Sequence, residues 1–301
     1  MSAINQPHFQ NDEAAFAYLE AIRWPTGTVC PKCGVIGRAY VTKKAHVYRC
    51  AENGCRKDFS VRVGTVFESS RIKLHKFLLA AYLVCASKKG MSSKQLERML
   101  GVTYKTAWFM THRLHEAMKD GGIGMLGGAG KPVEVDETYW GNVGKQRKGA
   151  RGYAHKMKVV SLVERDGNKR SFHVANVSAK TLRPILSAQI KRDTHLMTDE
   201  ASVYGKMGSE LFDKHSNVNH SAGEYARGIA TTNTVESSFA LLKRGLYGTF
   251  HHVSEQHLQR YATEFDFRWN QRKVTDTERA STLLGQIGGK RLMYRDSSPA
   301  L

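Results

Sequence analysis

The period of the hydrophobic positions changes along the chain, and the changes mark out its elements. Residues 74–87 carry an almost unbroken apolar run and read as one buried helix. Residues 92–100 keep a helical spacing, with Ser92 placed as the N-cap and Gln95 three residues on. Gly101-Val102 makes a turn, and residues 103–114 are helical again. Leu96, Leu100, Val102, Ala107, Phe109 and Leu114 are the expected small core. A short helix, a glycine turn and a following helix are the pattern of a helix-turn-helix. The exposed leading residues of the last helix, Thr103, Tyr104, Lys105 and Thr106, would then reach base edges or phosphates. A plain three-helix bundle is the alternative reading.

The glycine-rich stretch 121–130 reads as a linker, and beyond it the period falls to two. In residues 132–138, Val133 and Val135 face one way while Glu134 and Asp136 face the other. Residues 159–164 and 172–177 read as further strands, joined through a tight turn at Asp166-Gly167. Residues 181–191 read as a helix, with Pro184 early enough to be tolerated. Residues 195–199 then form a fourth strand ending on Asp199. Three antiparallel strands, a crossover helix and a fourth strand ending on an acid follow the order of the ribonuclease H-like fold. In that fold the first and fourth strands are neighbours, which would bring Asp136 and Asp199 together.

Two like charges at close range are costly unless a cation lies between them. Mg²⁺ fits, because a few carboxylates hold it while it keeps water and phosphate oxygens in its shell. A third acid comes from a helical segment. Glu236 and Lys243 stand seven residues apart and so share one face with Asn233, opposite a stripe of Val235, Phe239 and Leu242. That face offers a carboxylate for the metal and, two turns on, a cation for a DNA phosphate.

Charge sharpens this picture. The 301 residues hold 46 Lys and Arg against 27 Asp and Glu, a net charge of +19. The excess is spread over both halves, +10 up to residue 130 and +9 after it. Such a balance favours a polyanion partner, since every phosphate neutralised releases counterions. Residues 1–24 lack an apolar h-region, so no signal peptide is expected, and the run at 77–86 is too short to span a bilayer.

Four of the five cysteines lie within residues 30–55: Cys30 and Cys33 in a C-x2-C step followed by Gly34, then Cys50 and Cys55. In a chain that reads as cytosolic, this spacing points to one structural, four-thiolate Zn²⁺ site before it points to disulfides. Residues 39–41 and 46–49, between the two pairs, read as the strands of a ribbon. Cys85 lies in the apolar helix and reads as a buried small side chain.

These segments together resemble a known family, the zinc-ribbon-bearing bacterial insertion-sequence transposases of the DDE type, the ISXO2-like group. The resemblance rests on Gly64-Thr65-Val66-Phe67, Val133-Glu134-Val135-Asp136-Glu137-Thr138, Met197-Thr198-Asp199-Glu200 and Asn233-Thr234-Val235-Glu236-Ser237 with Lys243-Arg244-Gly245. Phe250-His251-His252-Val253-Ser254 and the segment 264–270 complete it. It departs from the family in the second knuckle, where four residues separate the cysteines and two are usual.

The resemblance implies an α+β chain: an N-terminal helix and zinc ribbon (1–70), a helix-turn-helix-like domain (71–125), a ribonuclease H-like catalytic domain (131–275) and a C-terminal tail (276–301). It implies Mg²⁺-dependent DNA cleavage and strand transfer, with Asp136, Asp199 and Glu236 holding two ions roughly 4 Å apart. Lys243, with Arg244 beside it, would grip a phosphate, and a basic segment with Arg147, Lys148 and Arg151 would close on bound DNA. In some relatives the asparagine at the Asn233 position takes the third acid's role. This chain has both residues, and Glu236 is favoured because a carboxylate suits Mg²⁺ better. The implied partner is double-stranded DNA, transposon ends and target, bound by a homo-oligomer with no membrane involved. The implied location is the cytoplasm, at the bacterial nucleoid.

Overall fold

The computed structural model of the protein describes residues 3–119, 122–143, 152–224 and 226–294. The chain is mixed α and β and forms two compact units, residues 1–119 with 274–301, and residues 120–273. In the first unit, α1 (Asp12–Arg23) begins on Asn11, whose side chain accepts the Ala14 N–H at 2.8 Å. β1 (Ala39–Val41), β2 (Tyr48–Cys50) and β3 (Asp58–Phe59) pair antiparallel as a ribbon, against which Trp24 packs edge-on to Tyr48 and Phe59. α2 (Leu74–Ala86) is buried along most of its length, as its apolar run requires.

α3 (Ser93–Leu100) starts on the Ser92 side chain and stops at Gly101, whose φ of 59° is the left-handed conformation that a helix end takes most cheaply at glycine. α4 (Tyr104–Met118) starts on Thr103 and runs a turn further than its sequence pattern. Met110 takes the core position expected of Phe109, which lies half-buried against the Tyr294 ring and the Arg113 guanidinium.

In the second unit, β4 (Val133–Trp140), β5 (Met157–Glu164) and β6 (Lys169–Val174) form an antiparallel meander. α5 (Ala179–Gln189), capped by Ser178, crosses over to β7 (His195–Thr198), which pairs parallel with β4. α6 (Ser202–Leu211) leads to β8 (Lys214–Asn217) at the edge, giving the sheet order β6-β5-β4-β7-β8. A small hairpin of β9 (Ala226–Arg227) and β10 (Ala230–Thr231) precedes α7 (Asn233–Gly245) and α8 (Glu255–Asn270).

Alternation along the strands feeds two cores. Val133, Val135, Val160 and Leu162 pack with Leu182, Leu186 and Tyr204 of α5 and α6. Val159 packs with Leu242, Leu258 and Phe265, and Val163 with Val235 and Phe239, of α7 and α8. β8 has no apolar residue, and as an edge strand it needs only backbone pairing on one side. The glycine-rich stretch is in part not a linker. Leu126 is buried and bridges Ile190, and a Cβ on Gly127 would stand 2.2 Å from the Thr194 hydroxyl.

Residues 276–294, expected as part of a tail, belong to the first unit. α9 (Asp276–Gly285) opens with a capping box of Thr275 and Glu278, and Leu283, Leu284 and Ile287 are buried. The Val66 N–H donates to the Ile287 carbonyl and the Gly289 N–H to the Gly64 carbonyl. Among the described residues, no helix is long and apolar enough to cross a membrane.

α8 is fastened to the sheet by a buried ion pair. Lys169 Nζ lies 3.6 Å from Asp266 Oδ1, and the Ser171 N–H and hydroxyl each donate to the same carboxylate at 2.6 Å. Burial pushes the Lys169 ammonium down and the Asp266 carboxyl up. Breaking such a pair leaves one charge buried alone, which costs about 3–5 kcal/mol. Asp266→Ala is expected to lower stability by about that amount, read as the denaturant midpoint of tryptophan fluorescence, while Lys169→Met with Asp266→Leu recovers most of it.

Candidate active site

Each unit holds one group of candidate metal ligands, four cysteines in the first and three carboxylates in the second. In the ribbon, Cys30 Sγ is 3.8 Å from Cys55 Sγ and Cys33 Sγ is 3.6 Å from Cys50 Sγ. Among the described residues, these four form the only group of three or more His, Cys, Asp or Glu whose ligand atoms all lie within 4.8 Å of one another. A tetrahedral Zn²⁺ with Zn–S near 2.3 Å sets its sulfurs about 3.8 Å apart, so the donor set fits that ion. The longer second gap does not keep Cys55 away. Gly34 and Arg56, the residues that follow each knuckle, both take positive φ, 76° and 47°. Burial alone raises the Cys30 thiol, but N–H groups of Lys32 and Cys33 and the neighbouring thiols outweigh it and bring it down to about 7. Cys33 and Cys50 move the other way: the Val35 N–H lowers Cys33, but burial and the neighbouring thiols push it up to about 12, and burial raises Cys50. Of these three, Cys30 alone moves toward the thiolate that a metal takes.

The sheet unit holds the acids. Asp136 stands in the middle of β4, Asp199 follows the last residue of β7, and Glu236 lies in the first turn of α7. β4 and β7 pair Val133 with Leu196 and Glu134 with Met197. Two residues further along the same register, Asp136 comes level with Asp199. Burial pushes the Asp136 carboxyl up to about 7; the Glu137 N–H at 2.7 Å pulls it back, and the charges of Asp199, Glu137 and Glu236 add to the rise. Burial likewise raises Asp199 and Glu137.

Asp136 therefore feels both of the other acids, yet the three carboxylates are not drawn to within 4.8 Å of one another. Mutually repelling carboxylates in a partly buried site are the donor set that a hard divalent cation relieves.

Glu236 is half-exposed, and its Oε1 accepts the Thr232 hydroxyl at 2.8 Å with His220 Nε2 at 3.3 Å. His220 is held in turn through Glu200, which accepts the backbone N–H groups of His220 and Ser221 and the Ser221 hydroxyl. The Ser221 hydroxyl and these N–H groups pull the Glu200 carboxyl down to about 2. His220, a lone histidine outside the α-helices and strands, carries no spacing signal in the sequence. Asn233, Lys243 and Arg244 are exposed on α7, and Arg244 Nε donates to the Ala240 carbonyl. Glu137 is occupied elsewhere: it accepts the Tyr204 hydroxyl at 2.7 Å.

In the first unit, Thr103, Tyr104 and Lys105 are exposed at the start of α4 and Thr106 is half-buried. Lys105 Nζ lies 4.6 Å above the Tyr294 ring. Arg147, Lys148 and Arg151 lie outside the described residues.

The four-cysteine ribbon and the sheet-borne acids both lie in segments that match domains of transposases. Residues 10–58 match the transposase zinc-ribbon domain, and residues 125–270 match the ISXO2-like transposase domain. The chain belongs to this family of insertion-sequence transposases. It is also similar to a Halobacterium salinarum protein described as "Uncharacterized protein in transposable element ISH50", 29% identical over 297 residues, which covers 92% of this chain and 97% of that relative.

The Asp136 carboxyl gives a pH signature. Because its folded value is raised, it contributes stability that is complete below its ordinary value of 3.8 and is lost as pH rises through about 7. In EDTA, Asp136→Asn is expected to exceed the wild type in stability by a margin that widens from pH 4 to 7 and then levels off. Denaturant midpoints between pH 4 and pH 9 measure it, and a margin independent of pH would contradict the raised value.

Proposed function

We propose that the protein binds the terminal inverted repeats of its element and carries out DNA strand cleavage and strand transfer with Asp136, Asp199 and Glu236 as the catalytic acids. The observation that carries this reading is the parallel β4–β7 register, which sets Asp136 level with Asp199. The charge of Glu236 acting on Asp136 from α7 adds to it. The element order, an antiparallel meander, a crossover helix and a parallel fourth strand beside the first, supports a ribonuclease H-like domain.

The three carboxylates would hold Mg²⁺, which when bound supplies Lewis-acid activation and neutralises charge on the phosphate. The protein's own residues do the rest. The acids stand on β4, just after β7 and in the first turn of α7, and the scissile phosphate would sit among them. Lys243, exposed two turns beyond Glu236, takes a phosphate oxygen beside it, with Arg244 next to it. Water attacks phosphorus and the bond to the 3′-oxygen breaks, leaving a 5′-phosphate and a 3′-hydroxyl. That hydroxyl later gives up its proton and attacks a target phosphate, whose bond to the target strand's own 3′-oxygen breaks and leaves a target 3′-hydroxyl. No covalent bond to the protein forms.

α3, the Gly101 turn and α4 act as a helix-turn-helix-like reader, with Thr103, Tyr104, Lys105 and Thr106 toward the DNA. Arg147, Lys148 and Arg151 add phosphate contacts. The Zn²⁺ of the ribbon is structural, because four thiolates leave no open position. The working form is a homo-oligomer on paired ends, in the cytoplasm at the nucleoid.

A labelled duplex carrying the element's end, incubated with Mg²⁺ or with EDTA, tests this. Nicking at the repeat boundary is expected with Mg²⁺ only, and Asp136→Ala and Glu236→Ala are each expected to lower its rate by at least about 10²-fold. Loss in Asp136→Ala alone would move the third role to Asn233. Binding with no cleavage by the wild type would overturn the enzyme reading.

A further inference from the structure

Glu134 and Asp136 lie on the same face of β4, two residues apart, and sequence pattern alone cannot tell them apart. Their surroundings differ completely. Glu134 is fully buried, and both of its oxygens are consumed. Oε1 accepts Arg165 Nη2 at 2.8 Å, Arg165 Nε at 3.2 Å and the Thr234 hydroxyl at 2.8 Å. Oε2 accepts the Thr234 N–H at 2.8 Å and the Val235 N–H at 3.0 Å.

Those two N–H groups belong to the first turn of α7, where backbone donors have no partner inside the helix. Thr232, at the N-cap position, supplies no side-chain cap. A carboxylate from a strand a hundred residues earlier in the chain does so instead, at the helix end where negative charge is favoured. Arg165 completes the arrangement. Its Nη1 donates to the Ile229 carbonyl before β10, and its Nη2 lies 3.2 Å from Met197 Sδ on β7.

We infer that Glu134 is the positioning residue for the third acid: it fastens the first turn of α7 to β4, and thereby sets Glu236 against Asp136. This rests on the reading of Glu236 as a metal ligand. The connection is short at both ends. Along β4 the anchor and the first acid are two residues apart, about 7 Å. Along α7 the anchored N–H groups immediately precede Glu236. A shift of the helix start would move Glu236 while leaving Asp136 and Asp199 in place. Glu134 has no oxygen left for a cation, so its role is exerted through the helix.

The test is Mn²⁺ binding by the full-length protein without DNA, titrated calorimetrically, with Glu134→Gln, Glu236→Gln and the double variant. Glu134→Gln keeps the side-chain shape but presents an amide to donors. It is expected to weaken Mn²⁺ binding about tenfold and to speed hydrogen exchange at the Thr234 and Val235 amides. Because it acts through Glu236, the double variant is expected to bind no more weakly than Glu236→Gln alone. Wild-type affinity in Glu134→Gln, or a loss that simply multiplies with that of Glu236→Gln, would overturn the inference.

If Glu236→Gln itself binds Mn²⁺ like the wild type, the assignment of Glu236 fails and positioning of a ligand fails with it. Amide exchange then reports separately whether Glu134 anchors the helix. Should Glu134→Gln not fold, Glu134→Asp, which retracts the same carboxylate by one methylene, is carried through both readouts with the same criteria.

Discussion

The parallel pairing of β4 with β7 is the constraint on which the sheet unit depends. A parallel neighbour cannot follow by a tight turn, so the chain must cross one face, and α5 makes that crossing with Leu182 and Leu186 against Val135 and Leu162. The crossing returns the chain with His195–Thr198 beside β4, Met197 opposite Glu134, a register that carried two residues on brings Asp199 level with Asp136. Sliding this pairing by one residue would turn Leu196 out of the core, so burial of the strand also locks the acids' alignment. The cost of that alignment falls on the carboxylates, whose burial and mutual repulsion raise Asp136 to about 7. The fold holds them there because the hydrophobic faces around them are tied down elsewhere.

Three acids on one strand, Glu134, Asp136 and Glu137, are used in three ways by their surroundings. Glu137 faces the side of α6 and takes the Tyr204 hydroxyl. Glu134, one residue after Val133, is spent on Arg165 and the start of α7. Among the described residues, the Asp136 side chain accepts only the adjacent Glu137 N–H and retains oxygen lone pairs for a ligand. A buried charge is tolerated where donors meet it, and a carboxylate left short of donors is raised. In this site the hydrogen-bond inventory separates a structural carboxylate from one available to a cation.

What was legible in the sequence followed from strong periodic or spacing signals. The four cysteines announced their own cluster, the alternation in residues 132–138 put Val133 and Val135 in one core, and the order of strands placed β4 beside β7. Weak signals failed where the decisive contact is long-range. β8 has no apolar period because an edge strand is held by backbone bonds. Residues 126–130 looked like a linker because their glycines, needed for close approach to Thr194, are also what linkers contain. Residues 276–285 carry a clear helical cap, but nothing local indicates that Leu283 and Leu284 are buried in the first unit. The partnership of Glu134 with Thr234 and of His220 with Glu236 spans loops that no spacing rule reaches.

Asp136, Asp199 and Glu236, on this reading, together form one divalent-metal site. Anomalous diffraction from crystals grown with Mn²⁺ tests it most directly, since manganese is located without reference to activity. Manganese is expected to be bounded by oxygens of all three carboxylates, with a separate zinc signal among Cys30, Cys33, Cys50 and Cys55. Manganese bound elsewhere, with the three carboxylates still apart, would contradict it.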